Sequence, residues 1–241
     1  MTTARARVGT AGWTIPRAVA EHFPTAGSGL QRYAAVFDAA EINTTFYRPH
    51  KPETYARWAD SVPDGFRFAV KAPKAVTHER RLVDAGAPMA AFLAEVRGLG
   101  DRLGPVLVQL PPSLAFDAGV AGAFLASVCS ETDGPVAIEP RHASWFEGDA
   151  ESLLVEHRIA RVAADPAKVP AAARPGGWCG LAYHRLHGSP RMYWSAYEDA
   201  ALDAVAASLQ AALGEAWCVF DNTASGAAAA DALRLRRRLD R

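Results

Sequence analysis

Cysteine, long apolar runs and an excess of one charge are all scarce in this sequence. It has three cysteines, Cys129, Cys179 and Cys218, an odd number without framework spacing. That excludes a disulfide-stapled secreted fold and fits free thiols in a reducing compartment. Cys129 and Cys218 lie in apolar runs and read as buried fillers. No segment approaches the ~20 apolar residues of a membrane span. The opening MTTARARVGT carries no signal-peptide stretch. The expectation is a cytoplasmic protein with no membrane partner. Its 26 basic residues balance 26 acidic ones, so formal net charge is zero. A protein that coats phosphate backbones needs a basic surface. Nucleic acid therefore stays open as a partner but is not favoured by charge. The one basic run, RLRRRLDR, reads as the solvated side of a final helix whose Leu233, Leu235 and Leu239 face inward. No Gly/Ser/Pro-rich linker divides the chain, so residues 1–241 read as one domain.

What the sequence does have is eight short apolar runs: RVGTAGW, EINTTFY, FRFAVKAP, GPVLVQLPP, PVAIEPRH, ARVAADP, AYHRLHG and WCVFDNT. Most stretches between them carry helical periodicity, as in Leu30 to Phe37, PETYARWADSV, GVAGAFLASV and DAESLLVEHR. Ser195-Ala196-Tyr197-Glu198 has the capping-box pattern of a helix start. After the sixth run, DPAKVPAAARPGGWCG holds three prolines and three glycines, which is loop chemistry. The predicted fold is α/β: a single (β/α)8 TIM-like barrel whose helix after strand 6 is degenerate or missing. Such barrels carry their sites where strands end.

Side chains alternate along a strand, so parity sorts the strand ends. Glu41, Asn43 and Thr45 share a face, as do Arg67, Ala69 and Lys71. So do Leu107 and Gln109, then Ala137, Glu139 and Arg141, then Tyr183, Arg185 and His187, and finally Val219 and Asp221. The opposite faces hold Ile42, Phe68, Val70, Val106, Val108, Ile138 and Leu186, which should meet the helices. The polar set then converges on the barrel mouth. Unpaired buried charges cost several kcal/mol each, so a structural ion network competes with a functional site as the reason for this cluster.

Two chemical schemes fit the cluster. In the first, Glu41 and Glu139 act as general acid and base, while Lys71 and Arg185 stabilise an anion. A Schiff base on Lys71 is a lesser variant. In the second, Glu41, Glu139, His142, Asp165, His184, His187 and Asp221 supply ligands for a divalent metal, although no HxH or HExxH spacing focuses them. No cofactor is required by the sequence. Trp13, Tyr47, Trp145, Tyr193, Trp194 and Tyr197 follow strands and would ring the mouth, as stacking surfaces or as apolar lids. His78 and Arg80 would extend a basic lip over a phosphate or simply be solvated. Trp58 and Trp217 read as core, and His22, His50 and His157 as surface residues.

The motifs GTAGW, AEINTTFYR, RFAVKAPKAVTH, LGPVLVQLPPS, IEPRHASW, YHRLHG and FDNTASGAA, in this order, resemble the signatures of the DUF72 (YecE-like) family. The resemblance implies a single TIM-like barrel of unestablished function, distantly similar to the endonuclease IV type. It marks Gly12, Trp13, Glu41, Asn43, Thr45, Phe46, Tyr47, Lys71, Thr77, His78, Gln109, Pro111, Pro112, Glu139, Arg141, His142, Trp145, Arg185, His187, Gly188 and Asn222. The chain departs from the pattern after Trp13, where TIPRAVAEHFP lacks a second Trp, and at Pro140 and Asp221.

The leading expectation is an enzyme of hydrolase or lyase type acting on a small or nucleotide-like anionic substrate. Glu41, Lys71, Glu139 and Arg185 are its catalytic candidates. Gly12, Trp13, Asn43, Thr45, Tyr47, Thr77, His78, Gln109, Arg141, His142, Trp145, His187, Tyr193, Asp221 and Asn222 are its substrate-binding candidates. The alternatives are a nucleic-acid-binding protein or metal-dependent phosphoesterase, and a non-catalytic ligand-binding protein.

Overall fold

A computed structural model describes residues 6–240. Ten strands form one sheet: β1 (Arg7–Ala11), β2 (Ala39–Ile42), β3 (Arg67–Lys71), β4 (Leu103–Gln109), β5 (Val136–Glu139), β6 (Ile159–Arg161), β7 (Ala163–Asp165), β8 (Gly176–Gly177), β9 (Leu181–Leu186) and β10 (Glu215–Phe220). Their order is β7-β9-β10-β1-β2-β3-β4-β5-β6-β8, and all pairings are parallel except that of β6 with β8. Val162 alone separates β6 from β7. β6 pairs with β5 while β7 pairs with β9, so one short segment brings the two sides of the sheet together. The result is an α/β fold around a nearly closed, barrel-like sheet.

Helices α1 (Gly29–Ala34), α2 (Pro52–Asp60), α3 (Gly86–Val96), α4 (Ala118–Glu131), α5 (Gly148–Glu156), α6 (Asp199–Gln210) and α7 (Ala227–Leu239) connect or follow the strands. Ser28 starts α1 with a capping box, and Pro52 sits in the first turn of α2, where a missing N–H costs nothing. Between β7 and β9 there is a 3-10 turn, Pro170–Ala173, and the short β8. The prolines and glycines of that stretch account for the absent helix. A cavity of about 730 Å³ lies on the outer side of the sheet here, lined by residues including Ala164, Trp178, His184, Val205 and Ser208.

Parity holds within the strands. Ile42, Phe68, Val70, Val106, Val108, Ile138 and Leu186 belong to the outer core, beneath the helices. Ala39, Ala69, Leu107, Ala137, Ala160, Val162, Leu181, Tyr183, Trp217 and Val219 form a second core inside the sheet. Alanines from β2, β3 and β5 leave room for Trp217 and Tyr183, whose rings stack 6.0 Å apart. Two glycines let the elements close up. A Cβ on Gly9 would lie 2.0 Å from the Ala39 carbonyl oxygen, and one on Gly104 would lie 2.7 Å from the Trp217 ring.

Two local expectations need correction. The second strand covers Ala39–Ile42 and stops before Asn43, and Thr44–Phe46 is a 3-10 turn. Thr45 Oγ1 donates to the carbonyls of Ile42 (2.9 Å) and Lys71 (2.6 Å), side-chain bonding that competes with extended backbone. The helix after β9 starts at Asp199, and Ser195 does not cap it. The Ser195 hydroxyl instead accepts from the Arg191 N–H at 3.1 Å.

Candidate functional site

Register builds the site. Glu41 on β2 stands opposite Ala69, so Lys71 ends β3 two residues further on. Gln109 and Glu139 end β4 and β5 side by side, and Arg185 on β9 faces Val219 on β10. Four consecutive strands, β2 to β5, and β9 beyond β1 and β10 thus aim polar ends at one place, with His187 and Asp221 just beyond their own strands.

Arg185 occupies the centre and is fully buried. Its Nε and Nη2 grip Glu41 at 3.0 and 2.6 Å in a bidentate fork. Its Nη1 donates to Glu139 Oε2 at 2.7 Å and to Gln109 at 3.4 Å, and Nη2 reaches Asp221 at 3.3 Å. Tyr183 donates its hydroxyl to Glu41 at 2.8 Å. Burial opposes the charge of Arg185, but Glu41 and Glu139 outweigh it and hold the guanidinium protonated. Burial alone would raise the Glu139 carboxyl. Arg185, then His187 and Arg141, overcome this and hold it well below the usual carboxylate range. Asp221 is lowered in the same way, chiefly by Arg185 against the cost of burial.

His187 joins the network from the side. Its Nδ1 lies 2.9 Å from Asp221, and its Nε2 lies 3.0 Å from Glu139 and 2.7 Å from Arg141 Nη2. Two proton arrangements each meet part of these contacts. The neutral ring donates from Nδ1 to Asp221 and accepts from Arg141 at Nε2. The cation donates to both carboxylates. Neither arrangement meets all three contacts, because the same Nε2 faces both the Arg141 donor and the Glu139 acceptor. Tyr193 packs edge-on against it, with centroids 5.7 Å apart.

Lys71 differs from the other cations. Arg185 and Arg141 both pair with Glu139, but among the described residues no carboxylate lies within 4 Å of Lys71 Nζ. The ammonium sits 4.1 Å from the centroid of the Phe46 ring. Burial, and next the charge of Arg185, lower its pKa to about 8. The same surroundings act on His78, lowered by burial and by Lys71. Five buried side-chain polar atoms among the described residues lack a hydrogen-bond partner, among them Asn43 Oδ1, Arg141 Nε and Asn222 Oδ1.

The structure therefore brings Glu41, Lys71, Gln109, Glu139, Arg141, Arg185, His187, Tyr193 and Asp221 together. Other candidates lie elsewhere or are otherwise engaged. Trp145 is 1% exposed, donates to the Leu114 carbonyl and packs on Phe116. Trp13 packs on Trp58 and Phe68 in the outer core. His142 is bonded to Ser144 and caps a 3-10 turn. Tyr197 is buried, with its hydroxyl on Gly188 and Asp165. Asn222 donates to the Ser195 carbonyl and to Asp231. Thr45 is bonded to backbone, and Thr77 lies 2.8 Å from His78. Gly12 turns the chain after β1 with φ 78°, where a side chain would be strained. Tyr47 stands 76% exposed on the rim, and Trp194 lies under Arg191. Tyr183 is not among the site candidates read from the sequence, and Phe46 is marked by the family resemblance without a role. Parity put Tyr183 on the inner face, but its bond to Glu41 depends on register across the sheet.

The donors suited to a metal are otherwise engaged. Glu41, Glu139 and Asp221 converge on the Arg185 guanidinium, which takes the place a cation would need, and His184 is 3.1 Å from Ser208 on the outer side of the sheet. Among the described residues no three His, Cys, Asp or Glu side chains form a metal-holding group.

Comparison with known proteins places the chain. The model of the family described as "Protein of unknown function DUF72" matches residues 7–241. UPF0759 protein YecE of Escherichia coli K12 is 32% identical over 129 residues, 53% of this chain and 47% of that protein. UPF0759 protein YunF of Bacillus subtilis is 27% identical over 147 residues, 58% of this chain and 51% of that one. The matched segments thus span about half the length of these curated relatives. Among solved structures, a DUF72 family protein from Thermotoga maritima superposes with TM-score 0.79 at 25% identity, over 98% of this chain and 99% of that one. One from Enterococcus faecalis gives 0.79 at 20% identity, over 98% and 96% of the two chains, a likeness of fold alone. With the family model matched from the first strand to the last residue, this chain is a member of the DUF72 family.

Proposed function

We propose that the polar end of the sheet is the active site of an enzyme, of lyase or hydrolase type, acting on a small anionic substrate. The sheet is read as a (β/α)8 barrel, with β6 and β7 as halves of one strand bent at Val162. The polar end is then the C-terminal mouth, where such barrels hold their chemistry. The observation that carries the proposal is Lys71. A purely structural ion network would pair every cation, yet Lys71 has no carboxylate within 4 Å in a mouth that holds three of them. Arg141 Nε and Asn43 Oδ1 are likewise left without partners, and leaving buried polar groups unmet is costly unless a ligand meets them.

Roles follow from the contacts. Lys71 and Arg141 meet the negative charge. His187 exchanges the proton, because Glu41 and Glu139 are both held by Arg185 and Glu139 resists protonation. Those two carboxylates, with Arg185, Tyr183 and Asp221, keep the site rigid and polar. Gln109 and Tyr193 border the substrate. The test is thermal stabilisation by small 2-oxo acids and by phosphorylated metabolites, compared in the wild type and Lys71→Ala. Stabilisation of the wild type by one of these classes, lost in the variant, is expected. Equal stabilisation of both proteins, or of neither, would remove the anion site.

A further inference from the structure

Lysine is rare in this chain. Four of its 26 basic residues are lysines, at 51, 71, 74 and 168, and the rest are arginines. Lys51, Lys74 and Lys168 are exposed, and Lys74 pairs with Glu79 at 3.2 Å. The remaining one stands inside the mouth. Arginine meets anions at least as well as lysine does, and in this site Arg141 and Arg185 already do so. What lysine adds is the ability to lose its proton and attack a carbon.

We propose, building on the active-site reading above, that Lys71 Nζ attacks the carbonyl of a small 2-oxo acid and carries it as a protonated imine. The position suits that step. Nζ is not held by a carboxylate, so its lone pair becomes free once the proton leaves. The Arg185 guanidinium is close enough to act on it, and a lysine desolvated beside a second cation is the arrangement that makes a nucleophilic amine. With a pKa of about 8, roughly a tenth of Lys71 is neutral at pH 7. The Phe46 ring that holds the ammonium would hold the cationic imine equally well. The substrate carboxylate finds Arg141, whose Nε lacks a partner.

In the reaction the C–N bond forms and the carbonyl C–O bond breaks. The oxygen leaves as water, carrying one proton from the amine and one taken up from solvent. The nitrogen keeps its other proton and the positive charge, and nothing is oxidised or reduced. The imine then draws electrons from the adjacent carbon, which is lyase or decarboxylase chemistry.

The experiment is reductive trapping. The full chain is incubated with glyoxylate or pyruvate and borohydride, which reduces an imine to a stable secondary amine, and is then mapped by peptide mass spectrometry. The expected result is one adduct, on Lys71, with Lys51, Lys74 and Lys168 unmodified. Lys71→Arg keeps the charge and should give none. An adduct spread over all four lysines, or absent from Lys71, overturns the covalent step; the wild type alone decides this, whether or not the variant folds. The same oxo acids are then tested for thermal stabilisation. If they stabilise both the wild type and Lys71→Arg without trapping, the anion site stands and the imine does not. If they neither stabilise nor trap, the imine fails, and the anion site fails with it only if the phosphorylated metabolites do not stabilise the wild type either.

Discussion

Glu139 shows how one buried carboxylate can organise the groups around it. It receives Arg185, Arg141 and His187, with no solvent contact. Glu139→Gln would leave these cations short of a counter-charge in a dry place. Breaking a buried pair in this way costs about 3–5 kcal/mol. The sign of the pH dependence follows from its lowered pKa. Above the unfolded value of 4.5 the ionised carboxylate contributes its full stabilisation, which is lost as pH falls through the lower folded value. Urea unfolding at pH 7 and pH 4 should therefore show a shallower acid loss in Glu139→Gln than in the wild type. A variant as stable as the wild type at pH 7 would mean that the network relaxes around the missing charge. At this scale much of the site was legible, because period-two alternation alone put Glu41, Lys71, Gln109, Glu139, Arg185 and Asp221 on one side. What alternation lacks is pairing. It cannot tell that Arg185 takes up both glutamates and leaves Lys71 alone, since that depends on register between strands far apart in sequence.

Among the elements, the prolines and glycines between Asp165 and Leu181 announced a missing helix, because those residues cannot hold one. They could not announce what its absence uncovers. The outer side of β7 and β9 borders a cavity, and His184 on β9 is buried beside it, 3.1 Å from Ser208 on α6. Burial lowers the His184 pKa to about 4. The unfolded chain binds this proton from 6.5 downward and the folded chain does not, so stability drops as pH falls between those values. From pH 7 to pH 5 the loss from this residue is about 2 kcal/mol. His184→Gln keeps a polar side chain toward Ser208 and cannot titrate. Its unfolding free energy should fall less over the same interval, and an identical fall in both proteins would place the titration elsewhere. The loop after β2 was misread for a related reason. EINTTFY has strand composition throughout, but Thr45 turns its hydroxyl to two backbone carbonyls and ends the extended run at Ile42.

Over the whole molecule, acidic and basic residues balance in number. Net charge is zero, and the mouth sets Lys71, Arg141 and Arg185 against Glu41, Glu139 and Asp221. The basic run in α7 is neutralised in part: Arg234 pairs with Asp199 and Asp231, and Arg238 with Asp199 and Asp203, while Arg236 lies over the Phe37 ring. Arg234 and Arg238 thus tie α7 to α6 and are not free for an outside phosphate. Affinity for a phosphate backbone comes from releasing counterions, which needs unpaired cations along a surface. A small anion needs only a local cation such as Lys71, which no carboxylate among the described residues holds. Labelled single-stranded DNA should therefore show no binding by fluorescence anisotropy near 0.15 M salt, under conditions where a 2-oxo acid still raises the melting temperature. Binding that strengthened steeply as salt was lowered, and that a small anion displaced, would instead make the mouth part of a nucleic-acid surface. Lys71 would then be a phosphate contact, and the trapping experiment would find it unreactive.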